Sequence, residues 1–281
     1  MTLQRKIKEN ALLSLKNHWG RAIGILLFVL GTTVAFWMLE YLFSLLTQIT
    51  SQNEAALTLD LGSRTLRISS SMAVISATFL VVSFAVLSPL QLGVKKWYWG
   101  QVSGETPPLL TVFDYFYNWR QLFRAILLQF SLWVRKAAWA VVFFAPSILL
   151  AAVLFMMDRP LYGTEVLLYI ALALLLALVT VSMGILWYFV TLRYYLADYL
   201  FVTREGMGIG EAIKTSVTAM KGSKRTLFSL QLSLLPWRLT TILLAPLVFV
   251  APYYSASMAI FAKVRLESYF SKISQSEGIP L

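Results

Sequence analysis

Residues 166–192 read VLLYIALALLLALVTVSMGILWYFVTL and contain no charged side chain. An apolar run of about 18 residues or more is long enough for an α-helix to cross the hydrocarbon core of a bilayer. Similar runs begin near residues 21, 71 and 137, and a longer one occupies 225–265. The sequence therefore predicts an all-α fold, a polytopic transmembrane helical bundle.

The composition agrees with this fold class. Of the 281 residues, 58% are hydrophobic and 13% are charged, with a mean hydropathy of +0.71. Soluble domains carry about 25% charged residues, so this chain lacks the charge that would cover a water-soluble globule. We expect a single membrane domain, 1–281, because no long polar linker separates the apolar runs. The chain has no cysteine, which excludes disulfides, thiolate metal ligands and cysteine nucleophiles.

Six membrane spans are predicted. They lie at about 21–47, 71–94, 137–157, 165–192, 225–244 and 246–265. The last two divide one apolar run at a turn near Ala245-Pro246, and one long span followed by an interfacial helix is the alternative. The first run is longer than the apolar core of a secretory signal peptide, about 7–15 residues, so we interpret it as a retained span.

Residues 1–20 predict an amphipathic helix that lies in the membrane interface. Leu3, Ile7, Ala11 and Leu15 recur every four residues and form an apolar stripe, while the lysines lie off that stripe. Such a helix typically turns its apolar face toward lipid and its lysines toward anionic headgroups. The alternative is a water-exposed helix that precedes the first span without lying in the membrane interface.

Two further amphipathic helices are predicted on the cytoplasmic side, at 113–134 and 210–221. The first combines aromatic side chains with arginines, and we end it at Arg135 and Lys136 because two adjacent charges are costly at bilayer depth. The second follows a glycine-rich stretch, and Gly222 suits its C-terminal cap.

Lysine and arginine are unevenly distributed between the loops, which predicts the orientation. Four segments hold 20 of the 24 basic residues, at 1–21, 93–136, 193–225 and 263–281. Loops 48–68 and 158–165 hold 3. Because cytoplasmic loops collect Lys and Arg, we expect a protein of the bacterial cytoplasmic (plasma) membrane with both termini inside.

Several short motifs resemble those of one bacterial membrane-protein family. They are Ile7-Lys8-Glu9-Asn10-Ala11, Trp19-Gly20, Tyr195 with Ala197-Asp198, Glu211-Ala212-Ile213-Lys214 with Ser216, Met220-Lys221-Gly222, Leu227-Phe228, Leu230-Gln231-Leu232-Ser233, Trp237 and Pro252-Tyr253. In this order they resemble the family filed as domain of unknown function 975. The resemblance implies a helical bacterial membrane protein and implies no activity, since the family's function is not established. Pro146-Ser147 stands where the family has Pro-Gly.

The residues offer no constellation for catalysis or metal binding. His18 is the one histidine, and Glu40 is the acid inside the predicted spans apart from Glu165 at the very start of the fourth. A zinc site or a paired-carboxylate site needs several such groups at one depth. The glycines of 206–210 follow no predicted strand and precede no P-loop lysine, so a nucleotide site is not expected. We predict no catalytic residue, no metal site and no cofactor, and therefore a protein that is not an enzyme.

Arg238 is the charge that is predicted to lie deepest in a span, with Glu40 as a candidate partner. An ionisable group at this depth marks a functional site by default, although an arginine can also extend its head to the interface. A small-solute transporter or channel is the alternative function. A water-filled, charged cavity around Arg238 would favour it.

The leading hypothesis is a non-catalytic membrane protein of unknown role that acts by contact with lipid, or with a membrane or envelope protein partner. The net charge of +11 suits anionic headgroups. Nucleic-acid binding is not expected, because the basic residues do not gather on one polar domain. The candidate anionic-lipid contacts are Arg5, Lys6, Lys8, Lys16, Arg120, Arg124, Arg135, Lys136, Lys221, Lys224 and Arg225.

Overall fold

The computed structural model describes residues 3–50, 56–60, 65–156, 163–204, 206–243 and 245–277. Within these ranges the chain forms nine α-helices, three short 3₁₀ helices and one β-hairpin. Contacts divide it into two compact units. Unit 1 comprises Met1–Ile126 and Trp237–Ile260, and unit 2 comprises Leu127–Pro236 and Phe261–Leu281.

In the part of the chain that the structure describes, five helical stretches are long and apolar enough to cross a membrane. They are Trp19–Thr47, Ala73–Val102, Trp119–Met156, Thr164–Thr203 and Leu247–Gln275. Between 0% and 44% of their most apolar windows is buried inside the protein, so most of this apolar surface faces outward. A chain with such a surface needs lipid around it, because exposed apolar area is costly in water.

Unit 1 begins with α1, Leu3–Leu15, and α2, Trp19–Thr50. Asn17, whose φ of 67° lies in the left-handed region, separates the two helices. The helix α3, Ser70–Val102, returns beside α2 and is followed by a 3₁₀ helix, Leu109–Phe116. The ring of Phe28 on α2 contacts Phe113 of the 3₁₀ helix, with 5.2 Å between ring centroids.

A β-hairpin lies within the segment that the sequence predicts as a polar loop, 48–68. Its strands are β1, Ala56–Asp60, and β2, Thr65–Ser69, which pair in antiparallel register with Leu57 opposite Ile68. The predicted all-α class therefore describes the fold, to which the described residues add one short hairpin. The alternation of Leu57, Leu59, Leu66 and Ile68 with polar residues has the period of two that strands require.

The helix α4, Trp119–Met156, is continuous, whereas the sequence predicts an interfacial helix that ends near residue 134 and a separate span from 137. Arg135 and Lys136 lie exposed in the middle of α4. At 1.5 Å per residue, its 38 residues extend over about 57 Å, against about 30 Å for a hydrocarbon core. A helix this long can keep both charges outside the hydrocarbon core. The two charges therefore limit how deeply α4 enters the membrane, but they do not end the helix.

Unit 2 includes α5, Thr164–Thr191, whose ends lie within one residue of those of the predicted fourth span, 165–192. A 3₁₀ helix, Leu192–Tyr194, and α6, Ala197–Thr203, extend it. The helix α7, Ile209–Ala219, follows, and Gly222 lies just beyond its end with a φ of 77°. This left-handed conformation suits the glycine after a helix C-terminus.

The predicted fifth span is shorter in the structure. The helix α8, Lys224–Thr240, has 17 residues and contains Pro236, and a single 3₁₀ turn, Thr241–Leu243, extends it. The helix α9, Leu247–Glu277, then begins after the turn at Ala245-Pro246. Since a span needs about 20 residues, α8 is not among the five candidate spans.

Candidate functional site

The apolar stripe of α1 is buried in the protein. Ile7, Ala11 and Leu15 are at most 1% exposed, and the Gln101 side-chain amide on α3 donates a hydrogen bond to the Ser14 carbonyl at 2.8 Å. The expectation that this stripe faces lipid is therefore wrong. Periodicity identifies an apolar face but does not say whether protein or lipid covers it. The side of α1 that faces outward carries Leu12 and Leu13, which are 50% and 66% exposed.

Basic residues accompany Leu12 and Leu13 on α1 and just after its last residue. Arg5, Lys6 and Lys16 are exposed and Lys8 is half-buried. Arg5 forms an ion pair with Glu9 at 2.9 Å, one turn along the helix. Such an exposed pair contributes little to stability.

A second basic surface of unit 1 lies where the 3₁₀ helix meets α4. Tyr117, Trp119 and Phe123 are 74%, 76% and 58% exposed, and the exposed Arg120 lies among them. Arg124 is half-buried. We call Tyr117, Trp119, Arg120 and Phe123 the aromatic-arginine surface.

The 3₁₀ helix is anchored to α3 beneath the aromatic-arginine surface. Val112 and Tyr115 are buried, and Lys96 forms an ion pair with Asp114 at 2.8 Å. The Trp97 indole is fully buried and donates a hydrogen bond to the Pro107 carbonyl at 3.1 Å. The run Lys95-Lys96-Trp97-Tyr98-Trp99 has the basic and aromatic composition of a headgroup anchor, but the Trp97 ring is covered by protein.

In unit 2, α4 combines exposed aromatic and basic residues in the same way. Phe130 and Trp133 are 50% and 60% exposed, and their rings are stacked with 6.3 Å between centroids. Arg135 and Lys136 follow them, and Arg135 donates a hydrogen bond to the Ser131 hydroxyl at 2.6 Å. Trp187 on α5 donates to the Lys136 carbonyl at 2.9 Å.

The remaining predicted lipid contacts lie at the junction of α7 and α8. Lys221 and Arg225 are exposed, and Lys224 is half-buried. Arg265 on α9 donates hydrogen bonds to the carbonyls of Ala219, at 2.7 Å, and Lys221, at 3.0 Å. It thereby satisfies carbonyls at the end of α7 that have no partner within the helix.

Arg193, which the sequence interpretation leaves out of the candidate site, lies beside Lys224. Its guanidinium carbon is 4.9 Å from the centroid of the Trp139 ring and 5.9 Å from that of Tyr194. Burial lowers the pKa of Lys224, and the positive charge of Arg193 lowers that pKa further. Only the packing of α5 against α8 reveals this pair, because 31 residues separate the two in sequence.

The two intramembrane candidates are not paired with each other in the structure. Arg238 is exposed, and its guanidinium carbon lies 4.8 Å from the centroid of the Tyr254 ring. Glu40 is half-buried between two adjoining cavities of about 360 and 270 Å³ that Trp37 and Ser76 also line. Arg238 lines neither of these two cavities, so they do not provide the charged cavity around Arg238 that would favour a transporter.

These features define a helical protein whose described residues include five helices that can cross a membrane, with exposed basic and aromatic residues on several helices. The chain belongs to the family described as "Protein of unknown function (DUF975)", whose model matches residues 1–266. No curated protein and no solved structure matches it.

Proposed function

We propose that the protein resides in the bacterial cytoplasmic membrane and acts without catalysis, by contact of its basic surfaces with anionic lipid headgroups. The observation that carries this proposal is the aromatic-arginine surface, where Arg120 lies among three outward-facing aromatic rings. Aromatic rings and basic side chains occur together at the level of the headgroups, where the ring stays out of water and the cation meets phosphate. If the protein instead binds a membrane or envelope protein, that partner would contact the same aromatic-arginine surface.

The charge of these surfaces favours anionic over neutral lipid. A Lys or Arg near a negatively charged membrane contributes about 1 kcal/mol. Lys16 and Arg120 are exposed in unit 1, and Arg135 and Lys136 are exposed in unit 2. Each unit therefore carries at least two cations that can meet headgroups.

We further propose six spans with both termini in the cytoplasm. The hydrogen bonds from Arg265 to Ala219 and Lys221 support this topology, because they hold the start of α8 and the later part of α9 at one level. The chain between them leaves along α8 and returns along α9, so Lys221 and Arg265 lie on one side of the membrane. At about 26 Å, the 17 residues of α8 fall slightly short of the core, and its 3₁₀ turn extends them.

Topology reporters fused within the loops test this arrangement. We expect fusions at Asn53 and Gly163 to report the outside, and fusions at Gly104 and Gly222 to report the cytoplasm; Asn53 lies outside the described residues. A fusion after Glu277 should agree with Gly222, because Arg265 ties α9 to the end of α7. Opposite signals from Gly222 and Glu277 would leave five spans and overturn the proposal.

Removing exposed cations tests the lipid contact. In bilayers that mix phosphatidylglycerol with phosphatidylcholine, the variant Lys16→Gln/Arg120→Gln should retain less phosphatidylglycerol than the wild type. The expected loss is up to about fivefold for each charge, which corresponds to about 1 kcal/mol. Lipid that remains bound after detergent extraction is counted by mass spectrometry.

The matched control is Arg67→Gln, which removes a charge from β2 in the loop that is predicted to face outside. It should retain phosphatidylglycerol as the wild type does. Equal retention by all three proteins would contradict the lipid contact and direct attention to a protein partner.

A further inference from the structure

Arg193 and Lys224 face each other because α5 and α8 pack in antiparallel register. The Tyr188 hydroxyl donates a hydrogen bond to the Gln231 side-chain carbonyl at 2.8 Å, and the rings of Phe189 and Phe228 lie 6.0 Å apart. One turn beyond Phe189 lies Arg193, in the 3₁₀ helix that follows α5, and one turn before Phe228 lies Lys224, the first residue of α8. The register therefore places the two cations opposite each other at the end of this contact.

The guanidinium of Arg193 is fixed in position. It lies against the Trp139 ring, and its Nε donates a hydrogen bond to the Val190 carbonyl at 3.2 Å. The Trp139 ring is itself held by a hydrogen bond from its Nε1 to the Tyr194 hydroxyl at 3.3 Å. Neither terminal nitrogen of Arg193 has a hydrogen-bond partner in the part of the chain that the structure describes. The two terminal nitrogens of the guanidinium are thus held in a fixed orientation and can donate hydrogen bonds to a ligand.

Lys224 adds a second positive charge close to Arg193. Within the described ranges, no carboxylate forms an ion pair with Arg193 or Lys224. Asp198, five positions after Arg193 in the sequence, is buried and accepts a hydrogen bond from the Gln129 amide at 2.8 Å. Burial lowers the pKa of Lys224, and repulsion by the half-buried Arg193 lowers that pKa further. An anion between them would remove the repulsion.

We propose that Arg193 and Lys224 bind one phosphate group, either the headgroup phosphate of an anionic lipid or free phosphate. The planar fork of an arginine matches two phosphate oxygens at once, and a lysine beside it adds a mobile point charge. Trp139 and Tyr194 supply an aromatic wall, which suits a group at the boundary between lipid and water. If the phosphate belongs to a lipid, this site is one defined position of the proposed lipid contact. In that case the site rests on the proposed function.

Full-length protein in a neutral detergent tests the site with two probes. Native mass spectrometry measures binding of phosphatidylglycerol, with phosphatidylcholine as the uncharged reference. Thermal unfolding measures binding of inorganic phosphate, with chloride at equal ionic strength as the reference. The test variants are Arg193→Gln, Lys224→Gln and Arg193→Lys, and the matched control is Lys214→Gln, which removes an exposed charge from α7 in the same unit.

We expect one tightly bound phosphatidylglycerol in the wild type. Arg193→Gln and Lys224→Gln should each weaken its binding at least tenfold, and Lys214→Gln by twofold at most. Arg193→Lys should give an intermediate loss, because it keeps the charge and loses the fork. Without any anion, Lys224→Gln should unfold at or above the wild-type temperature, since it removes the repulsion, so weaker binding by this variant would not reflect misfolding.

The two probes distinguish the sources of the phosphate. A rise in melting temperature with inorganic phosphate that disappears in Arg193→Gln identifies free phosphate as a ligand, whereas a response to phosphatidylglycerol alone identifies the lipid. Wild-type affinity for both probes in Arg193→Gln and Lys224→Gln would overturn the site.

The site and the general lipid contact can fail separately. If Lys16→Gln/Arg120→Gln loses lipid while Arg193→Gln and Lys224→Gln do not, the site is wrong and the proposed function stands. If phosphate binding depends on Arg193 and Lys224 while the wild type does not prefer phosphatidylglycerol, the site stands and the proposed function is wrong.

Discussion

Gly93→Ala is expected to destabilise unit 1 by about 3 kcal/mol, near the upper end of the usual cost of overpacking. A Cβ at this position on α3 would lie 2.6 Å from the carbonyl carbon of Val112 and nearer still to its oxygen. Carbon atoms in contact are normally separated by about 3.5–4.0 Å. Because the obstacle is backbone of the 3₁₀ helix, no side-chain rotation relieves the overlap, and the two elements must separate.

The matched control is Gly24→Ala in α2, another glycine inside a helix of unit 1. No atom lies within 4 Å of the Cβ position at Gly24. Alanine is the better helix former by about 0.5–1 kcal/mol, so this variant should be as stable as the wild type or slightly more stable. Melting temperatures of both variants in the same detergent give the comparison. Equal temperatures would show that the 3₁₀ helix does not pack closely on α3.

The sequence predicts the apolar helices well because the signal is local. Span four, 165–192, coincides with α5, Thr164–Thr191, since every residue between its ends avoids water independently of its neighbours in space. The turn at Ala245-Pro246 is equally local, because proline favours the beginning of a new helix. The length of α8 is harder to predict, since apolar composition alone does not say where a helix ends.

Features that depend on a packing partner cannot be predicted from the sequence alone. The stripe of Ile7, Ala11 and Leu15 identifies an apolar face, but only the structure shows that protein covers it. For the same reason Trp97 resembles a lipid anchor in sequence and is a core residue in the structure. The pair of Arg193 and Lys224 depends on the register between two helices, which no single-sequence pattern encodes.

Trp97→Ala is the other substitution with a large expected effect, a loss of about 3–5 kcal/mol of stability, the usual cost of truncating a buried aromatic residue. The ring is fully buried, contacts Tyr98 edge to face with 5.0 Å between centroids, and holds the Pro107 carbonyl through its indole nitrogen. Trp97→Phe retains most of the apolar volume and loses only the donor, so it should cost about 1 kcal/mol for the hydrogen bond and somewhat more for the smaller ring.

Trp119→Ala separates this structural role from the proposed lipid contact. Trp119 belongs to the aromatic-arginine surface and is 76% exposed, so its removal should change the melting temperature little and reduce retained phosphatidylglycerol. Trp97→Ala should lower the melting temperature strongly, and at temperatures where the protein stays folded it should retain phosphatidylglycerol as the wild type does. If both variants lose stability equally, then Trp119 is covered by protein, and the lipid contact must be sought elsewhere on the chain.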